Sequence, residues 1–250
     1  MDKFNQAINS YLKRTGFAGI DPQAALIDMD GTLYDSMPFH AEAWKKLTDD
    51  LGFNIPVEEF FSYEGMTGIA TLELLFRKAG RNLPSADTLR EYYHRKTELF
   101  KLYGEKRIMP GAREVISVLA KLGISRVLVT GSGQTSLISK VADDFNNLFS
   151  ADAMVTSRDV TRGKPDPEPY LRGMEIAGKS PCQCIVIENA PLGIKSGHDS
   201  KAFTIGVCTG PIPVKDMKEA GADILFSSMN ELAEALPEMI TEMRNKFYQI

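Results

Sequence analysis

Along this chain, short runs of apolar, mostly β-branched residues alternate with longer stretches in which apolar residues recur every three or four positions. The short runs fall at 24–29, 126–130, 153–155, 184–187, 203–207 and 224–226. They are continuously apolar, as strands covered on both faces should be. Helical spacing marks 112–122, 136–145, 169–177, 193–200 and 214–220. Strands and helices in alternation predict an α/β fold whose parallel sheet has both faces covered. Ahead of the first strand, Phe4, Ile8, Tyr11 and Leu12 recur at helical spacing among polar residues. That pattern predicts a short amphipathic helix packed on a core, and no signal peptide.

The rhythm breaks after the first strand. Helical patterns at 38–51, 57–61, 69–79 and 86–103 follow one another with no strand between them. Leu72, Leu75, Phe76 and Ala79 share one face, enough to close a separate core. The expected division is a catalytic core built from 1–34 and 109–250, with a helical domain inserted at 35–108. The turn Met109-Pro110-Gly111 marks the return to the sheet.

Composition narrows the function classes. A chain of 250 residues with 43% hydrophobic and 25% charged residues can bury a sizeable core without disulfide or metal staples. A net charge of −4 gives no electrostatic case for nucleic acid or an anionic membrane as partner. No run reaches eighteen consecutive apolar residues, so no membrane span is expected. The three cysteines, Cys182, Cys184 and Cys208, are odd in number and irregular in spacing. They read as reduced thiols, with Cys182-Gln183-Cys184 opening a buried strand, and a cytoplasmic location is expected. A monomer is expected.

In a parallel α/β sheet, ligands bind beyond the carboxyl ends of the strands. Asp28, Asp30, Gly31 and Thr32 follow the first run, and Thr130, Gly131, Ser132 and Gly133 the second. Lys164-Pro165-Asp166 lies in the loop after the third, and Glu188 and Asn189 follow the fourth. Asp28 and Asp30 are two apart on an extended segment and leave it on the same face. Neighbouring carboxylates repel unless a cation shares the site, and Glu188 adds a third acid. Mg²⁺ suits such oxygen ligands. Thr130, Lys164 and the backbone N–H groups of the Gly131-Ser132-Gly133 loop can hold phosphoryl oxygens. One carboxylate can then serve as nucleophile and the other as acid and base.

These motifs, Asp28-Met29-Asp30-Gly31-Thr32, Val129-Thr130-Gly131-Ser132, Gly163-Lys164-Pro165-Asp166 and Ile187-Glu188-Asn189, resemble the haloacid dehalogenase superfamily in content and order. The resemblance spans about residues 24 to 210 and implies a Rossmann-like core with the helical insert as its cap. It implies that Asp28 is phosphorylated and that Asp30 protonates the leaving group and then activates the acceptor. It further implies that Asp28, the Asp30 carbonyl and Asn189 bind Mg²⁺, and that Thr130 and Lys164 steady the phosphoryl group. Asn189 departs from the aspartate common at that place, which removes a charge from the site. A dehalogenase would lack the acid at position 30. Phosphonatases of the superfamily use a cap lysine as a Schiff base, and Lys96 is the candidate for that position, in different surroundings.

The cap resembles the β-phosphoglucomutase-like branch, which implies that His40 stands near Asp30 and substrate. The loop Tyr63-Glu64-Gly65-Met66-Thr67-Gly68 is expected to select the substrate. A mutase needs cations there for a distal phosphate, and this chain offers Glu64 and Gly68. That loop, Ser36-Met37-Pro38-Phe39-His40, Val129-Thr130-Gly131-Ser132-Gly133-Gln134 and Val186-Ile187-Glu188-Asn189-Ala190-Pro191-Leu192-Gly193 together resemble the inorganic pyrophosphatases of the superfamily. In those, a cap glutamate reaches the metal, which implies Glu64 as a ligand here. The expectation is therefore a small phosphorylated substrate, with pyrophosphate favoured. A β-phosphoglucomutase or sugar-phosphate phosphatase is the alternative, and a non-enzymatic regulatory relative the remote one.

Two other signals carry less. Gly173 to Ser180 matches the P-loop pattern, but the run ends a helix and Pro181 follows, whereas a P-loop opens one. His94 and His198 read as surface or structural residues, and Trp44 and Leu47 as cap core.

Overall fold

The computed structural model describes residues 3–103, 107–133, 140–141, 143–145, 149 and 153–248. Six strands form one parallel sheet: β1 (Ala24–Ile27), β4 (Ser125–Val129), β5 (Met154–Val155), β6 (Cys184–Glu188), β7 (Phe203–Val207) and β8 (Ile224–Phe226). Their order is β5-β4-β1-β6-β7-β8. The chain leaves β1 toward one edge and later returns to its other side, so β1 stands at the switch point where such sheets bind ligands. Leu26 lies level with Val127 on β4 and Val186 on β6.

The continuous apolar runs have their explanation in β1. Ala25 and Ile27 face one hydrophobic cluster, with α1 (Lys3–Thr15), α5 (Ala112–Lys121) and α9 (Met229–Tyr248). Ala24 and Leu26 face the other, with Tyr170 and Met174 of α6 (Glu168–Ala177). Successive side chains point to opposite faces, so a strand covered on both must be apolar throughout. The remaining core helices are α7 (Pro191–Asp199) and α8 (Val214–Glu219).

The insert holds α2 (Met37–Asp50), a 3₁₀ turn at Val57–Tyr63, α3 (Gly68–Lys78) and α4 (Ala86–Tyr103). Trp44, Leu47, Phe53, Phe60, Leu72, Leu75, Phe76 and Leu89 form a hydrophobic cluster of their own. Two short antiparallel strands, β2 (Tyr34–Asp35) and β3 (Arg107–Ile108), join the insert to the core.

Differences from the sequence reading are local. The first strand stops at Ile27, although Asp28 N–H still bonds Ile187 O at 3.0 Å. Val57–Tyr63 is 3₁₀, and the predicted helix at 136–145 lies largely outside the described residues. The twenty-residue α9 was not anticipated, since Pro237 interrupts its pattern. Its Leu232, Leu236, Met239, Ile240 and Met243 are nonetheless buried. Gly178 closes α6 with φ +63, as the rejection of a P-loop requires. Among the described residues no helix is long and apolar enough to cross a membrane.

Candidate active site

The carboxyl ends of β1, β4 and β6 converge on one buried lysine. Lys164 Nζ donates to Asp28 Oδ1 at 2.6 Å, to Glu188 Oε1 at 2.6 Å and to the Val129 carbonyl at 3.2 Å. An ammonium has three protons, and all three are used. Tyr170 OH also donates to Glu188 Oε1, at 2.7 Å. Glu188 Oε2 accepts the N–H groups of Asn189 (3.0 Å) and Ala190 (3.3 Å), at the start of α7. Glu188 was expected among the metal ligands. Among the described residues its two oxygens meet four donors, so it also braces the site. Thr130 Oγ1 accepts the Ser132 N–H at 3.0 Å and so shapes the loop after β4.

Glu64 comes from the insert. It is 6% exposed and accepts a hydrogen bond from Asn189 Nδ2 at 2.7 Å. Thr32 Oγ1 donates to Asn189 Oδ1 at 3.1 Å, so Asn189 links the two bodies. Gly31 (φ +81) makes the approach possible: a Cβ there would stand 1.9 Å from Asn189 Nδ2 and 2.4 Å from Glu64 Oε1. Beside it, a Cβ on Gly131 would stand 2.8 Å from the Gly65 carbonyl. The cap loop is seated directly on the core.

Asp30 is held by the hinge. Ser36 Oγ donates to its Oδ1 at 2.6 Å, and His40 Nε2 lies 3.2 Å from the same oxygen. His40 Nδ1 contacts Lys96 Nζ, and the imidazole stacks on Phe100 with centroids 4.1 Å apart. Lys96 is buried, its Nζ 5.2 Å from the rings of Trp44 and Phe100. Tyr93 reaches across to Ser132 and the Gly133 backbone, which hydrogen-bond its phenol.

A cavity of about 70 Å³ lies between the two bodies. Asp28, Asp30, Thr130, Gly131 and Ser132 line it from the core, and His40, Glu64, Tyr93 and Lys96 from the insert. It is far smaller than the roughly 300 Å³ at which drug-sized pockets begin. Gly31 and Thr32, expected to touch substrate, support Glu64 and Asn189 from outside the cavity lining. Lys164 borders a smaller adjoining pocket that shares Thr130 and Gly131.

The cluster is acid-rich. Burial pushes Asp28 up to about 7, with Lys164 pulling it down and Glu188 and Asp30 adding to the rise. Burial likewise raises Glu64 well above the carboxylate range, and the Asn189 hydrogen bond only partly offsets it. Burial opposes the charge on Lys164, but Asp28 and Glu188 outweigh it and hold the lysine above its ordinary value. More buried negative charge than one lysine can neutralise is the setting that a divalent cation fits. Among the described residues no three His, Cys, Asp or Glu side chains form a metal shell by themselves. The groups that would hold such a cation are mixed in kind: the Asp28 and Glu64 carboxylates, the Asp30 backbone carbonyl and the Asn189 amide. As Asn189 stands, its Nδ2 faces Glu64, so ligation through Oδ1 requires the amide to turn over.

Three contacts escaped the sequence reading. Ser36 lies in the segment Ser36-Met37-Pro38-Phe39-His40, Tyr170 in the helical stretch 169–177 and Tyr93 in 86–103, and the sequence pattern gives none of the three a role. Tyr170 and Tyr93 act through partners on other elements and Ser36 through Asp30 across a turn, contacts that periodicity does not report.

Comparison with known proteins places this geometry in context. Residues 22–201 match the family model described as haloacid dehalogenase-like hydrolase. A putative beta-phosphoglucomutase from Bacteroides vulgatus superposes with a TM-score of 0.91 at 39% identity, covering 96% of this chain and 98% of that one. Hexitol phosphatase A of Escherichia coli is 28% identical over 83% of this chain and 91% of its own length. Glycerol-1-phosphate phosphohydrolase 2 of Saccharomyces cerevisiae is 31% identical over 82% of each.

Proposed function

The chain belongs to the haloacid dehalogenase-like hydrolase family, and on that premise we propose a Mg²⁺-dependent phosphohydrolase that works through a phosphoaspartate on Asp28, with inorganic pyrophosphate as favoured substrate. The observation that carries the substrate choice is Glu64. A cap carboxylate buried against Asn189 and the core acids, where a mutase needs a cation for its second phosphate, supports a small substrate bound with a metal.

In this reading the Asp28 carboxylate attacks phosphorus, an Asp–O–P bond forms and the bond to the leaving oxygen breaks. Lys164 already holds Asp28 Oδ1, which leaves Oδ2 to attack. Asp30, oriented by Ser36, passes its proton to the leaving oxygen, then takes one from the water that cleaves the phosphoaspartate and releases phosphate. Thr130 and the N–H groups of Gly131 and Ser132 receive the phosphoryl oxygens. Lys96 and His40, on the cap wall, meet the leaving phosphate. Mg²⁺, held by Asp28, the Asp30 carbonyl, Asn189 and Glu64, supplies the positive charge that offsets these acids and polarises the phosphoryl group.

The names of the relatives favour a second reading. A hexitol phosphatase, a glycerol-1-phosphate phosphohydrolase and a putative beta-phosphoglucomutase suggest a sugar or polyol phosphate, hydrolysed or isomerised. Against the mutase stands the cap loop. Glu64 and Gly68 offer no cation for a second phosphate, and a Cβ on Gly68 would lie 2.0 Å from the Tyr93 ring, so that ring fills the space.

The test is Mg²⁺-dependent turnover of pyrophosphate, hexitol and hexose phosphates, glycerol 1-phosphate, and β-glucose 1-phosphate with its bisphosphate activator. The highest kcat/KM is expected for pyrophosphate. A higher value for a polyol phosphate, or conversion of β-glucose 1-phosphate to glucose 6-phosphate, transfers the function to the second reading.

A further inference from the structure

We infer that Tyr170 is a positioning residue for the phosphoryl-transfer site, acting through Glu188 to keep Lys164 on Asp28; the inference rests on the phosphoaspartate reading. Tyr170 belongs to α6, packed against the sheet in the cluster on that face, and is wholly buried. Most of its ring serves packing. Its hydroxyl is different, because it reaches a carboxylate that also holds the site lysine.

The balance at Lys164 explains why this matters. Its three protons are divided among Asp28, Glu188 and Val129, and the two carboxylates stand at the same 2.6 Å. To help the phosphoryl group, Lys164 must lean toward Asp28 and away from Glu188. How strongly Glu188 resists depends on how well its charge is otherwise satisfied. Its Oε2 is fixed by Asn189 and Ala190 N–H, at the positive end of α7. Among the described residues its Oε1 has only Lys164 and Tyr170 as donors. Gly193 leaves the room that this carboxylate occupies, since a Cβ there would stand 1.8 Å from Oε1. Without the Tyr170 hydroxyl, Oε1 is left in a dry environment with the ammonium as its only donor. A buried carboxylate short of a donor draws harder on the one it keeps. The ring also lies beneath the lysine, 5.2 Å from Nζ to centroid, and the ring persists in phenylalanine. Tyr170→Phe therefore removes the donor and keeps the packing.

The expected result for Tyr170→Phe is a fall in kcat of about tenfold, the low end of what one hydrogen bond to a charged group contributes when converted to rate. KM should stay within about twofold, because Tyr170 does not line the cavity. A merely structural role predicts a lowered melting temperature with kcat intact. The decisive measurement is a double-mutant cycle with Glu188→Gln. If Tyr170 acts through Glu188, adding Tyr170→Phe to Glu188→Gln costs little more. Independent, multiplying losses overturn the inference, as does an unchanged kcat in the single variant. If Tyr170→Phe does not fold, Tyr170→Met, which also fills space without a donor, takes its place in the same cycle. Asp28→Asn, run in parallel, separates the two levels. Activity surviving in Asp28→Asn refutes the phosphoaspartate reading itself. Activity lost there but unaltered in Tyr170→Phe refutes only the positioning role.

Discussion

Glu188 and Glu64 are both buried carboxylates beside Asp28, yet they are held in opposite ways. Glu188 sits at the end of β6 and meets four donors, all from the core. Glu64 sits on a loop of the insert, has among the described residues one hydrogen bond, from Asn189, and is pushed well above the usual carboxylate range by its burial. The first belongs to the folded core whatever the cap does. The second is costly to bury as a carboxylate and is eased there by a proton or by compensating positive charge. An acid satisfied by its own shell is part of the core's framework, whereas an acid with fewer partners is the one whose state can respond to pH or to added charge.

The largest expected effect tests the core side. Asp28→Asn should reduce phosphate release to background while the protein still folds, since Glu188 keeps its own contact with Lys164. Near wild-type turnover would end the phosphoaspartate reading. Lys164→Ala comes next. It leaves Asp28 and Glu188 buried without their cation, so kcat should fall by about 10²-fold or more. Stability should fall by about 3–5 kcal/mol, the scale for breaking a buried ion pair. Steady-state kinetics and thermal melting read both. A kcat loss below about threefold would place Lys164 outside the reaction.

Glu64→Ala should behave in the opposite sense. Pyrophosphate hydrolysis should fall strongly, and slow hydrolysis of small generic phosphate esters should survive. Metal-free stability should hold or rise, because a poorly satisfied buried acid is gone. Equal losses on both substrate types would remove Glu64 from any gating role.

The same contrast predicts a pH dependence. Folding raises Asp28 from an ordinary carboxylate value to about 7 and raises Glu64 as well. Between the ordinary carboxylate range and about 7 the folded protein therefore binds more protons than the unfolded chain, and stability falls as pH rises. Melting temperatures of metal-free protein between about pH 4.5 and 7.5 should decline, and Mg²⁺ should flatten the decline. A rise over that window without metal would mean that these acids are better compensated than their surroundings indicate.

The contrast also separates what could be read in the sequence from what could not. The core acids were legible because each follows an apolar run in β1 or β6, and strand ends in a parallel sheet face the ligand side. Glu64 has no such address. It lies in a glycine-flanked loop, and only resemblance to a family pointed to it. Tyr170 was invisible for another reason: at 169–177 the pattern reports which face is buried, and a hydroxyl at the tip of a buried ring looks the same as phenylalanine. The donors around Glu188 are hidden for a similar reason, because the residue type announces an acid but not the groups that meet it.

The smallest expected effect is the most specific test of the closed cap. Gly131 has no left-handed φ that would demand glycine, so alanine fits its backbone. Its Cβ would meet the Gly65 and Met66 carbonyls at 2.8 and 3.0 Å, and both belong to the cap loop. Gly31 is less informative, since alanine there also strikes Asn189 of the core and is strained at φ +81. Gly131→Ala should therefore disturb closure and leave the core nearly untouched. The expected loss on pyrophosphate is several-fold, in the direction of Glu64→Ala but smaller, with melting unchanged and small esters spared. Combined with Glu64→Ala it should add nothing further, because both remove the same seated loop. Additive losses would mean that Gly131 contributes through its own contact with substrate and that the cap loop is not what its small size protects.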